Sequence, residues 1–147
     1  MRALILTILA SLSAVTSAQH SAAQSAQIVI CPLLLPAGTA AEAKPMPGWK
    51  LFMPQEIRIT GGGLVTGEPD GQAYLKPLTV RTRKADGKTI EVQSWELGQP
   101  QGFPQWLYCE YGHGLQLFRR IDSHAAKCSM TGTWEPGALN DLRFDCR

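Results

Sequence analysis

Four cysteines, at positions 31, 109, 128 and 146, follow an apolar leader, and that combination restricts the fold more than any other feature of the chain. The leader reads as an export signal. Arg2 supplies a positive start, Ala3 to Val15 an apolar run of signal-peptide length, and Thr16-Ser17-Ala18 the small residues that a signal peptidase reads. Cleavage after Ala18 is preferred, with Ala23 and Ala26 as alternatives. A membrane anchor needs about 20 apolar residues, and this run is broken by Thr7, Ser11 and Ser13. Lipidation needs a cysteine at the end of that run, whereas Cys31 follows Ile30 well beyond it. The expected organisation is a signal peptide over 1–18, a disordered leader over 19–27 and a single disulfide-stabilised β domain over 28–147, periplasmic or secreted, with no membrane span once the signal is removed.

An even number of cysteines in an exported chain predicts two disulfides. A zinc site would bring two ligands close in sequence, as in C-x-x-C, and these four contain no such pair. No metal and no cofactor is expected. The preferred pairing joins Cys31 to Cys146 and Cys109 to Cys128. Cys128 with Cys146 is the alternative, since a hairpin can bring their strands together. By loop entropy the terminal bridge would contribute about 4 to 5 kcal/mol and the shorter one about 3 kcal/mol.

About 130 residues remain after the signal, the size of one domain with a real core. The formal charge of +2 falls to +1 without Arg2. Such a balance gives no strong pull toward nucleic acid or anionic membranes. Helical periodicity is nearly absent from the mature chain, while apolar and polar residues alternate in several short runs. An all-β fold follows: an antiparallel sandwich or small barrel of about seven to nine short strands after an N-terminal signal helix.

The runs can be placed along the chain. Gln27 to Cys31 is β-branched and stops at Pro32, and the proline-rich stretch Leu33 to Gly48 reads as an irregular connection. Gln55 to Thr60 alternates as a strand, Gly61-Gly62-Gly63 as a turn or bulge needing unusual dihedrals, and Leu64 to Thr66 can continue the sheet. Leu78 to Lys84 and Lys88 to Trp95 flank Asp86-Gly87, a hairpin with a type I′ turn. Val80 and Thr82 are placed on one side and Thr79, Arg81 and Arg83 on the other, with Ile90, Val92 and Ser94 on the apolar side of the return strand. Trp106 to Tyr111, Leu115 to Arg119, Cys128 to Trp134 and Leu142 to Cys146 complete the strands. Glu135 to Asp141 is read as a loop, and Asp122 to Lys127 as at most one helical turn. Leu142, Phe144 and Cys146 share a face opposite Arg143 and Asp145.

Few residues suggest chemistry. Gly112-His113-Gly114 could hold a catalytic histidine near Glu110, with Ser123 and His124 further on, but the glycines are better explained by a hairpin tip. No G-x-S-x-G, H-E-x-x-H or Cys/His pattern supports an enzyme. No catalytic residue is assigned. Arg81, Arg83, Lys84 and Lys88 gather on the hairpin, where they could meet an acidic partner or simply blunt a sheet edge. Trp49, Trp95, Trp106 and Trp134 could form an aromatic surface, although at least two are expected in the core. The residues selected as candidate partner contacts are His113, Arg81, Arg83 and Trp95.

Val29-Ile30-Cys31-Pro32, Pro47-Gly48-Trp49, Gly67-Glu68-Pro69, Leu75-Lys76-Pro77, Trp95, then Trp106-Leu107-Tyr108-Cys109-Glu110-Tyr111 and two later cysteines follow the export leader. In that order they resemble an uncharacterised family of small exported proteins of Gram-negative bacteria. The resemblance covers nearly all of the mature chain, and W-L-x-C-x-Y is its most specific piece. It implies a disulfide-containing periplasmic protein and assigns no activity. The expected function is non-enzymatic binding of another periplasmic protein, in its most concrete form inhibition of, or immunity to, a cell-wall-active enzyme. The alternatives are a structural or accessory envelope subunit presenting a sheet edge, and a small hydrolase using His113 with Glu110 or His124. Partner-contacting loops are expected at Gly61 to Gln72, Gln99 to Pro104 and Gly112 to Gly114.

Overall fold

The computed structural model describes residues 26–40, 47–48, 56–98, 102–112 and 114–147. The signal helix, the cleavage positions Ala18 and Ala23, Trp49 and His113 lie outside the described residues. Nine strands are present: β1 (Gln27–Ile30), β2 (Leu34–Pro36), β3 (Glu56–Thr66), β4 (Thr79–Ala85), β5 (Lys88–Glu96), β6 (Gln105–Tyr111), β7 (Leu115–Arg120), β8 (Lys127–Glu135) and β9 (Ala138–Cys146). They form a five-stranded sheet in the order β1-β9-β8-β5-β4 and a four-stranded sheet in the order β2-β3-β6-β7. Every pairing is antiparallel. Two sheets whose strands alternate must hide their apolar faces against each other, and the expected all-β sandwich is the result.

Alternation fixes the core. On β9, Leu142, Phe144 and Cys146 are buried while Asp141, Arg143 and Asp145 point away. On β6 the inward residues are Leu107, Cys109 and Tyr111. These meet Val29, Leu35, Ile59, Leu64, Trp95 and Met130 in one cluster. Burying each large apolar side chain contributes about 1.5 to 3 kcal/mol. No charged residue is buried among the described residues.

The disulfides join Cys31 to Cys109 and Cys128 to Cys146, so the preferred pairing is corrected and its alternative stands. Register supplies the reason. Cys128 lies directly opposite Cys146 in the β8–β9 ladder, with Cα atoms 4.0 Å apart. Gln27, not Cys31, lies opposite Cys146. Cys31 is four residues farther along, about 13 Å at strand rise, where its N–H donates to the carbonyl of Leu142. It therefore meets Cys109 of the other sheet and ties the two layers together.

Three further expectations are revised. Leu34–Pro36 inside the proline-rich connection pairs with β3, because its one proline, Pro36, is the strand's last residue and removes no donor from within it. The stretch from Glu135 to Asp141 is a tight hairpin turning at Pro136-Gly137, with Gly137 at φ 86°, since Leu139 is needed in the core. Asp122 to Lys127 makes a turn and no helix; the Asp122 carboxylate accepts the His124 N–H at 2.9 Å.

The glycine run lies within β3, with the bulge between Ile59 and Gly61. None of the three glycines has a positive φ, so unusual dihedrals are not why they are there. Closeness is. A Cβ on Gly62 would sit 2.5 Å from the backbone oxygen of Tyr108 and 2.8 Å from Leu142, and one on Gly63 would sit 2.8 Å from the Tyr108 hydroxyl.

Candidate partner-binding surface

The β4–β5 hairpin turns at Asp86 (φ 51°) and Gly87 (φ 73°), both left-handed as a type I′ turn requires. β5 continues the five-stranded sheet beside β8, and β4 is its edge. Opposed residues share a face. Trp95 lies opposite buried Cys128, so the inward face of β5 carries Thr89, Glu91, Gln93 and Trp95. Opposite those on β4 stand Lys84, Thr82 and Val80.

The outward face of the hairpin therefore holds Thr79, Arg81 and Arg83 beside Ser94, Val92 and Ile90. The expected division of β4 into two sides is correct, but the aliphatic pair Ile90 and Val92 lies with the arginines and away from the core. Away from Trp95 the inward face has little to cover it: six of the seven β4 residues are exposed. Polar Thr89, Glu91 and Gln93 therefore occupy it, and Gln93 donates to the Glu91 carboxylate at 2.7 Å. Across the outer face, Arg81, Val92, Thr131, Arg143 and Ile30 form one row over all five strands.

Of the four selected partner contacts, Arg81 and Arg83 are exposed and adjacent on this face. Trp95 is only 4% exposed, and its indole N–H donates to the Leu75 carbonyl at 2.9 Å, which places it in the core and removes it from any surface. A large ring at the rooted end of β5 is needed to bridge the sheet to the segment entering β4. His113 falls between Gly112 and Gly114 at the β6–β7 turn, outside the described residues.

A second surface escaped the sequence reading. On the outer face of the four-stranded sheet, Trp106, Tyr108 and Glu110 alternate with the inward residues of β6, and Tyr108 lies opposite Gly63 and Phe118. The missing side chain at Gly63 makes room for the Tyr108 ring. Tyr74, bridged to Val65, stacks edge-on against Tyr108 with centroids 5.5 Å apart and reaches the Gln116 side chain with its hydroxyl at 3.1 Å. Phe118 extends the layer, 5.9 Å from Tyr108. Tyr74 remains 48% exposed. Burial, then the Glu110 carboxylate and Tyr74, push the Tyr108 phenol above its ordinary value. The buried Trp106 indole N–H has no acceptor among the described residues. Among the described tryptophans Trp106 lies on this face, while Trp134 packs half-buried against the core. The signal was the glycine run facing W-L-Y-C-E-Y, read as a turn instead of as a bed for rings.

The loops divide between two ends. Gly67 donates to the Pro104 carbonyl at 2.8 Å, so the segments after β3 and before β6 meet at one end, where Phe103 is exposed. Gly112 and Gly114 sit at the other end of β6. Glu110 lies on that strand opposite Gln116, while His124 lies beyond the far end of β7, so those two do not converge. No group of three His, Cys, Asp or Glu side chains among the described residues could hold a metal ion.

A family model described as Type VI secretion system Tli immunity protein matches residues 54–147, which takes in β3 to β9, the hairpin, the aromatic layer and the Cys128–Cys146 bridge. Cys31, β1 and β2 precede the matched span. No curated protein and no solved structure matches the chain. Since the match covers more than half of its length, the chain belongs to the Type VI secretion system Tli immunity protein family.

Proposed function

We propose that this protein is exported, folds around its two disulfides in the periplasm, and protects the cell by holding a delivered effector in an inactive complex. The family match carries the reading: an immunity protein acts against a secreted effector. The disulfides support the compartment. All four cysteines are buried and paired, a state that persists in oxidising surroundings. Binding alone suffices for such a role. A rigid sandwich presenting an exposed basic hairpin and an aromatic face has the parts that protein interfaces use: Tyr, Trp and Arg anchors within a polar rim.

A strain lacking the gene should be killed by its own siblings when their type VI system is active, and survive when the effector is deleted. Equal survival of the mutant under attack would refute the proposal. The same strain tests the compartment, because protein made without residues 1–18 should fail to protect. Peptidoglycan is one envelope substrate that the effector could attack. Release of soluble muropeptides from sacculi by the purified effector, blocked by an equimolar amount of this protein, is the result that the cell-wall reading requires; intact sacculi would remove it.

A further inference from the structure

We infer that β4 is the strand on which the effector docks, taking an extended acidic segment of that protein as a sixth strand of the sheet; this rests on the immunity reading above. The edge itself is the first reason. β4 pairs with β5 alone, leaving one side of a seven-residue backbone without ladder partners. Other edges are shorter or tied. β1 has four residues and runs into Cys31-Pro32, β2 has three and ends at Pro36, and the end of β7 is held by the Gln27 side chain on the Arg120 carbonyl. β4 has no proline, and its ladder runs without a register shift from Thr79 to Ala85. Edges of that length are usually blocked.

Charge decides what can pair there. Arg81, Arg83 and Lys84 are exposed and form no ion pair or hydrogen bond with any described residue, whereas Lys88 and Lys127 are engaged with Glu135 and Glu96. Two copies of β4 joined edge to edge would bring these cations against each other, so the same charges that exclude self-association select a carboxylate-bearing strand. Arg81 and Arg83 lie two residues apart on one face, about 7 Å along the strand. An extended segment with acidic residues at alternate positions matches that spacing. Leu78 and Val80, 67% and 55% exposed, offer apolar contact at the start of the same edge. Main-chain hydrogen bonds would supply affinity and the alternate side chains specificity, as in strand addition generally.

The test uses the mature protein and a catalytically inactive form of the effector identified by the sibling-killing assay. Amide exchange across Thr79–Ala85 should slow on complex formation. Joint Arg81→Glu and Arg83→Glu replacement should weaken binding by about 100-fold or more, while Lys76→Glu with Arg119→Glu, the same charge change elsewhere, should cost less than about threefold. A tight complex in which β4 amides exchange as in the free protein, or in which the two double variants bind alike, overturns docking on β4 and leaves the immunity function standing. No complex with the unaltered protein overturns both.

Discussion

Strand β9 and the β4–β5 hairpin differ in what lies against their inward faces. β9 sits under the second sheet, and its inward residues Leu142, Phe144 and Cys146 are sealed. The hairpin is rooted at Trp95 and then leaves that cover, so the inward face of β5 carries Thr89, Glu91 and Gln93, and its Ile90 and Val92 stand among arginines on the outer face. Both regions alternate with period two. The pattern separates two faces in each case, but only the position of the opposing sheet decides which face is apolar. A strand free of that constraint is also free to be selected for binding, so the hairpin should tolerate substitutions that the body cannot.

The largest expected contrast is covalent. The Cys31–Cys109 bridge spans 78 residues and the Cys128–Cys146 bridge 18. Loop entropy assigns about 4 to 5 kcal/mol to the first and about 3 to the second. Replacing each pair by serine and following urea unfolding should give that order, both below the parent. A larger loss from the short bridge would mean that holding the two sheets together matters less than holding the β8–β9 hairpin.

Packing comes next. Phe144→Ala should cost about 3 to 5 kcal/mol, whereas Val80→Ala on the exposed edge should stay within about 0.5 kcal/mol. Comparable losses at both sites in thermal unfolding would show that the hairpin is covered in solution and break the contrast. A finer version lies inside β3. Gly62→Ala drives a Cβ to 2.5 Å from a backbone oxygen, which cannot move aside cheaply, and should cost about 1 to 3 kcal/mol. Gly61→Ala meets nothing nearer than the Glu110 carboxylate at 3.6 Å and should be close to neutral.

These sites also mark where the sequence was readable. The all-β class, the Asp86-Gly87 hairpin and the faces of Leu142 to Cys146 follow from local pattern, because turn chemistry and alternation are local properties. The disulfide partners were not local: they depend on register, which sets Cys128 against Cys146 and carries Cys31 past it to the other sheet. Alternation separates Ile90 and Val92 from Thr89, Glu91 and Gln93 but does not say which set faces the second sheet; the register of Trp95 on Cys128 does, and it turns the aliphatic pair outward. The aromatic layer was hidden for a similar reason. Tyr74, Tyr108 and Phe118 are far apart in sequence, and the glycines that let them meet look like a turn until β6 is laid beside β3.

The smallest effect concerns the seam between the two regions. Lys88, the first residue of β5 after the turn, meets Glu135 at the end of β8 with Nζ and Oε1 2.7 Å apart. The hydrogen bond from Lys88, then its charge, and a further hydrogen bond from Asn140 hold the Glu135 carboxyl below its ordinary value of 4.5, with desolvation opposing them. A carboxylate with a depressed folded pKa stabilises the fold above its unfolded pKa and loses that contribution as pH falls through the folded value. Stability measured from pH 7 downward should therefore show an acid-side decline starting near 4.5, slightly weakened in Lys88→Met. Both side chains remain exposed, so salt should screen the difference. If Lys88→Met instead removes most of the stability and does so at neutral pH, the hairpin is not a tolerant appendage but part of the cooperative body, and the freedom assigned to β4 would have to come from its edge alone.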